Sequence, residues 1–491
     1  MKTIKWTSLV ICLGAFLFFQ ACATDDTQEI IDELVESDTE SSDEEEDNID
    51  VGSALTNRFG EEMNLTEETS ELIVKWNELF LVLDRYASEM RPNSTSRSLA
   101  YIGLAAYETA VSDMPSYSSL VDRLNGFNIN PGQRPDNLDL DIALNACYAR
   151  VMDHFVYNVP GNVDSGIESL ERSLFNRFSE DLENQEAQAS ADWGRYVAGR
   201  VIAYSRTDNE AEEQIQDPQP LSYEPPVGDG FWTYSADAER AWFPYWSEVR
   251  TFVISSDETS SVPPYDNYST DSKSGYYLQM YEVYETNNTA AETQNDDLWI
   301  AEYWSDDVEG LMMSPPGRQI SIAAQLIENY DMTSEDALAM LLKVGFALND
   351  AAVSCWEDKY NYMVMRPSVY IQDYIDPDYQ TNLYKFIFWP NPSFPGYPSG
   401  HSTFASAAGG VFIEFFGDAT DFSDRSHEGR TEFLGAPRQF STFSAMAEEN
   451  AFSRIPLGVH IRMDCSEGLR LGYEIADAIN SYDISSGADL Q

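Results

Sequence analysis

Apolar residues recur every three to four positions over Glu71–Met90, Ser96–Val111, Leu138–Tyr157, Ala189–Tyr204, Arg318–Tyr330 and Ser334–Cys355, the period that turns one face of a helix inward. No comparable set of alternating segments bounded by hairpin signals occurs. The pattern predicts an all-α, multi-helix protein built on one or two four-helix bundles. Thr333 and Ser334 ahead of Glu335 and Asp336 make a helix start. That helix is expected to run to about Lys359 and to be stopped by Pro367. The small-residue run Ser402–Phe416 and the stretch Ile461–Ala478 predict two further helices. Pro- and Tyr-rich stretches at Gln216–Trp246 and Ser260–Tyr277 are long for connections, and long loops are often functional or mobile.

The ends and the charge change this picture. Lys2 and Lys5, an apolar run from Leu9 to Phe19 and Ala21 before Cys22 read as an export signal over residues 1–21, too short to cross a bilayer comfortably. Phe19-Gln20-Ala21-Cys22 is a loose lipoprotein processing site, with Cys22 as the acylated N-terminus. Residues 22–50 are dominated by Asp, Glu, Ser and Thr and predict an extended, self-repelling tether. The chain is therefore expected to be exported, either periplasmic or held at the outer membrane or cell surface, touching the membrane only through a lipid anchor. The body divides into an N-terminal helical region, 51–330, and a C-terminal helical region, 331–491.

The 491 residues carry a formal charge of -55, which makes nucleic acid an unsuitable partner. Such acidity resembles that of proteins working in salty surroundings, where screening reduces self-repulsion. Any anion site must collect its cations locally. Cys147, Cys355 and Cys465 remain once the ends are set aside. Cys355 and Cys465 could pair in an exported protein or serve as small buried apolar residues.

Three segments collect cations in that way: Lys359-x6-Arg366-Pro367, Pro398-Ser399-Gly400-His401 and Ser453-Arg454-x5-His460. Together they supply three cations, a hydroxyl, a glycine amide and two of the four histidines, the parts of a socket for a tetrahedral oxyanion. Ser399 and Gly400 fall at a predicted helix N-terminus, where free amides and the helix dipole favour an anion. Alone, each motif has a bland reading, since helix ends often carry cations followed by proline. Their combination, order and spacing resemble the signature shared by vanadium-dependent haloperoxidases and type 2 phosphatidic acid phosphatases.

The resemblance is specific over about Ser334 to Asn480 and places the oxyanion site in the C-terminal bundle. It implies that His460 is the axial atom, ligating vanadium in a haloperoxidase or forming a phosphohistidine in a phosphatase. Lys359, Arg366 and Arg454 would neutralise equatorial oxygens, Ser399 and the Gly400 amide would donate to them, and His401 would act as the general acid/base. Vanadate is the implied cofactor, and phosphate fits the same socket. Asp464, four residues after His460, would reach its second ring nitrogen and fix its tautomer; the alternative is an ordinary solvated Asp. Trp356 and Phe394 match an aromatic pair resembling a halide pocket in chloroperoxidase-type members, against the alternative of plain core aromatics. Pro456 departs from the family pattern and is expected to stiffen a loop from Arg454 to Gly458. His154 and His427 match nothing and read as helix-surface or loop histidines.

Two chemistries and a silent alternative follow from the resemblance. A haloperoxidase would use hydrogen peroxide, polarised by Lys359, to oxidise a halide to hypohalous acid, with or without an organic acceptor. An exported acid phosphatase would work through phosphorylated His460 with His401 protonating the leaving alcohol. A surface lipoprotein could bind the anion without turnover. Met363, Met365 and Met463 bear on the choice, because free hypohalous acid would oxidise them if exposed.

Overall fold

The computed structural model describes residues 55–63, 65–234, 239–259, 262–387 and 391–486. The export signal, Cys22 and the acidic tether lie outside the described residues. Six helices come first: α1 (Glu68–Tyr86), α2 (Asn93–Ala110), α3 (Leu140–Phe155), α4 (Gly161–Phe178), α5 (Asn184–Ser205) and α6 (Asn209–Gln216). After residues 217–274, where the described chain has only short 3-10 turns, come α7 (Gly275–Thr293), α8 (Asp296–Tyr303) and α9 (Pro315–Asn329). The motif-bearing part holds α10 (Ser334–Tyr362), α11 (Pro367–Tyr374), α12 (Gly400–Phe416), α13 (Phe443–Leu457) and α14 (Arg462–Ser481). Two three-residue strands, β1 (Phe422–Asp424) and β2 (Arg438–Phe440), pair antiparallel with Phe422 opposite Phe440. The molecule is all-α, as its periodicity predicts.

Helix α10 is the central rod. Thr333 caps it by accepting the Asp336 N–H at 3.3 Å, and its side chains are buried along nearly the whole length. It packs on α2 from the first half and on α12 from the second. One connected apolar cluster therefore runs from Leu55 to Ile484. By length and composition α10 could cross a membrane, but 94% of its apolar window is buried inside the protein.

The predicted stop at Pro367 is corrected. Helix α10 ends at Tyr362 because Met363 adopts a left-handed φ of 52° and its N–H closes on the Lys359 carbonyl. Pro367 instead opens α11, where its missing N–H costs nothing and its fixed φ suits the first turn. The Arg454–Gly458 loop is corrected too. Arg454, Ile455 and Pro456 form the last turn of α13, and Gly458 caps it at φ 93°. The Pro456 carbonyl, left free by the helix end, accepts from two asparagine side chains, Asn287 at 2.9 Å and Asn382 at 2.8 Å.

Helices α12 and α14 approach so closely that glycine is required between them. A Cβ on Gly468 would lie 2.5 Å from the Ser399 carbonyl oxygen, and one on Gly472 would lie 2.1 Å from Ser406 Oγ and 2.3 Å from the Thr403 carbonyl oxygen. This contact sets the start of α12 against the start of α14, which brings the second and third motifs together.

Candidate functional site: a cationic pocket around His460

The three motifs brace one another in a ring. Lys359, in the last turn of α10, points its ammonium at the second motif and donates to the carbonyls of Pro395 (3.0 Å), Gly396 (3.1 Å) and Pro398. The Ser399 N–H donates to the Asp464 carbonyl at 2.9 Å, tying the second motif to the third. His460 Nε2 lies 3.0 Å from an Arg366 N–H donor, which returns the third motif to the first. Arg366 also donates to the carbonyls of Phe394 (2.9 Å) and Val459 (2.9 Å). The five-residue spacing between Arg454 and His460 follows from the helix end, where the Arg454 carbonyl accepts the N–H groups of Val459 (3.1 Å) and His460 (3.4 Å).

Asp464 settles the chemistry of His460. Its Oδ2 lies 3.1 Å from His460 Nδ1 and also accepts the Ile461 N–H at 3.2 Å. A carboxylate at that distance places the proton on Nδ1 and leaves Nε2 with a bare lone pair aimed at Arg366. His460 is held neutral: burial depresses its pKa well below the usual value, with Arg366 and Lys359 adding to the effect. The same burial pushes the Asp464 carboxyl up to about 7 and the Lys359 ammonium down to about 8, and Arg366 falls to about 10. Three cations crowded out of water want an anion among them.

His401 stands in the first turn of α12, 7% exposed. Its Nε2 bonds the Ser305 carbonyl at 3.1 Å. Only a protonated ring nitrogen can donate there, so in the neutral ring Nδ1 is the free base. Burial and the Arg454 charge lower its pKa to about 4. Ser399 caps α12, its Oγ accepting the Ser402 N–H at 3.4 Å, and Gly400 opens the helix. The predicted residues of all three motifs, with Asp464, are thus gathered in one place.

The residues fit a bound oxyanion. Arg366 Nη2 and Arg454 Nε are buried donors without a hydrogen-bond partner, a costly condition that an incoming anion would relieve. Among the described residues no group of three or more His, Cys, Asp or Glu side chains gathers as a cation site. One imidazole lone pair surrounded by cationic donors instead suits an anion such as vanadate or phosphate.

Trp356 and Phe394 meet at the edge of this pocket, with ring centroids 4.9 Å apart. Lys359 Nζ lies 5.6 Å from the Trp356 ring and 5.1 Å from the Phe394 ring, and the Arg366 guanidinium lies 5.0 Å from Phe394. Trp356 is fully buried and donates to the Trp242 carbonyl at 3.3 Å.

The opposite wall, Trp304–Asp307, has no signature in the sequence motifs. Arg454 donates to the carbonyls of Trp304 (3.0 Å) and Ser305 (3.3 Å) and pairs with Asp307 at 2.5 Å. Neighbouring Asp306 receives Arg318 through two bonds, 2.7 and 3.2 Å, and Arg318 also reaches Asp424 at 3.2 Å. His427 joins this cluster. It lies on a loop as expected, but it is 1% exposed and its ring nitrogen contacts Arg318. His154 is half-buried in the last turn of α3. Cys147, Cys355 and Cys465 are free and buried, so Cys355 and Cys465 do not pair. Met363, Met365 and Met463 are 2%, 8% and 0% exposed, which removes the objection they raised.

Residues 339–484 match the family model of the VCPO second helical-bundle domain. The vanadium chloroperoxidase of Curvularia inaequalis is 25% identical over 215 residues, a match covering 33% of this chain and 35% of that protein. The crystal structure of a bacterial vanadium-dependent iodoperoxidase superposes with a TM-score of 0.72 at 25% identity, covering 85% of this chain and 97% of the other. A holo-type bacterial vanadium-dependent chloroperoxidase is similar in fold, with a TM-score of 0.60 at 15% identity over 80% of this chain and 92% of its own. Over residues 339–484 in sequence, and across most of its length in fold, the chain is similar to vanadium-dependent haloperoxidases.

Proposed function

We propose that the protein is an exported vanadate-dependent haloperoxidase that uses hydrogen peroxide to oxidise a halide to hypohalous acid. The observation that carries this reading is the bare Nε2 of His460, fixed by Asp464 and facing buried, unsatisfied N–H groups of Arg366 and Arg454. His460 would be the single protein ligand to vanadium. Arg366, Arg454, Ser399 and the Gly400 amide would hold the oxygens. Bound vanadate supplies Lewis-acid activation of peroxide toward halide without changing oxidation state.

The remaining work falls to this chain. His401, neutral with a free Nδ1, takes the proton that peroxide must lose. Lys359 begins with its ammonium spent on three carbonyls and its pKa lowered to about 8. An anion beside it raises that pKa again and draws the ammonium toward the oxygens. Trp356 and Phe394 bring apolar faces beside the Lys359 ammonium, a setting that would suit a weakly hydrated halide.

The second reading is an acid phosphatase, favoured by the pKa of about 4 at His401. Such a histidine is protonated to serve as general acid only in acid solution. The test loads the protein with orthovanadate and follows peroxide-dependent halogenation of a phenolic dye with iodide, bromide and chloride. A vanadium-free aliquot receives a chromogenic phosphate ester. Vanadate-dependent halogenation lost in His460→Ala supports the haloperoxidase. Ester hydrolysis without halogenation sinks it.

A further inference from the structure

The long segment between α6 and α7 does more than connect. Around residue 230 it straps across the end of the first motif: Trp232 N–H donates to the Met363 carbonyl at 2.6 Å, Met365 N–H donates to the Gly230 carbonyl at 3.0 Å, and Phe231 bridges Val364. A second part of the same segment is tied down by Tyr397, whose hydroxyl donates to the Val262 carbonyl. Between these two parts opens a cavity of about 310 Å³, floored by Val364 and Met463.

The lining of this cavity has one chemical character. The lining includes the aromatic residues Phe231, Tyr268, Tyr276 and Tyr362 and the acids Asp229 and Asp266, and among the described residues no Lys, Arg or His lines it. Tyr268 and Tyr276 pack edge to face, at 69° with centroids 5.6 Å apart, and both belong to the lining. Tyr276 is 2% exposed, and its hydroxyl has no hydrogen-bond partner. A buried phenol without a partner is an expense that a bound group would remove. Phe231, 38% exposed, and Asp229 lie at the mouth. Asp266, also in the lining, accepts one bond from Gln279 at 2.6 Å and sets its carboxylate against Gly275 at the start of α7.

We propose that this cavity binds an organic ammonium group, with the aromatic faces packed against its methyl or methylene shell and Asp229 and Asp266 balancing its charge. Electron-rich ring faces attract such cations, and each face contributes more as water is excluded. A neutral apolar guest would leave both carboxylates facing it, and an anion would be repelled by them. The proposal does not rest on the haloperoxidase reading. The cavity lies behind the first motif, and its occupant need not touch the oxyanion socket.

The test is calorimetric titration of the purified protein with choline and with 3,3-dimethylbutan-1-ol, its uncharged carbon isostere, in sodium chloride buffer. The expected result is saturable 1:1 binding of choline, with the isostere at least about tenfold weaker. Phe231→Ala and Asp229→Asn, both at the exposed mouth, should each weaken choline several-fold. Tyr276→Phe should weaken ligands that bear a hydroxyl and leave tetramethylammonium unchanged. Equal binding of choline and its isostere would overturn the proposal. So would uptake that Phe231→Ala leaves unaltered, because diffuse attraction to an acidic surface needs no ring.

Discussion

A histidine is a useful ligand only if the right nitrogen is bare, and at His460 that choice belongs to Asp464. The carboxylate accepts a hydrogen bond from the Nδ1–H, which keeps the proton there and leaves Nε2 as the lone pair that faces the cations. Asp464→Asn keeps the size but removes the charge that makes Nε2 basic. It should weaken vanadate by about 10- to 100-fold while leaving the melting temperature nearly unchanged, as read by equilibrium vanadate titration beside thermal unfolding. An unaltered affinity would mean that Asp464 only caps the helix. At this scale the motif side chains were legible because their chemistry lies in residue type and spacing. The wall made by Trp304, Ser305 and Asp307 was not, since two of its three residues act through backbone carbonyls, which every residue possesses. His427 shows the same limit: its burial against Arg318 comes from a contact 109 residues away.

Elements position the site through close contacts rather than through their own propensities. The clearest is the α12–α14 crossing, where Gly472 has no room for a methyl group. Gly472→Ala should destabilise the protein by about 1–3 kcal/mol, the usual cost of overpacking, and loosen vanadate binding, since the crossing sets Ser399 against Asp464. Gly199, on the exposed face of α5 with nothing near its Cβ position, is the control. Gly199→Ala should gain about 0.5–1 kcal/mol. Thermal unfolding of both variants checks the pair, and equal effects would refute the packing argument. Helices with broad apolar faces, such as α1 and α10, were readable within a few residues of their true ends. Helix α4 was not, because it buries only a narrow stripe of Val163, Gly166, Ile167, Leu170 and Leu174. In α13, Pro456 disguised a helical turn, because proline normally interrupts a helix interior.

The whole molecule carries a charge of -55, and some of its acids are buried. Burial raises Glu78, Glu108 and Asp464 each to about 7. The folded protein therefore holds protons that the unfolded chain would release, and that stability is lost as pH rises through 7. The histidines act with the opposite sign, but His401, His427 and His460 are depressed, so their influence is complete above their ordinary pKa of about 6.5. Between about pH 6.5 and 8 the acids decide, and the melting temperature should fall. Glu108 is a clean probe, since it accepts from the Leu120 N–H at 2.6 Å and the Ser119 hydroxyl at 2.7 Å. Glu108→Gln should flatten the decline by on the order of 1 kcal/mol. Raising ionic strength to about 1 M, where the screening length is about 3 Å, should raise the melting temperature at every pH. A profile that rises between pH 6.5 and 8 and ignores salt would contradict this account.

The most direct test of the central claim is a crystal structure of the protein grown with orthovanadate. The account predicts vanadium bonded to one protein atom, Nε2 of His460, with its oxygens satisfying the now unpaired donors of Arg366 and Arg454. Vanadate bound elsewhere, or a filled pocket in which His460 makes no bond to it, would contradict the account.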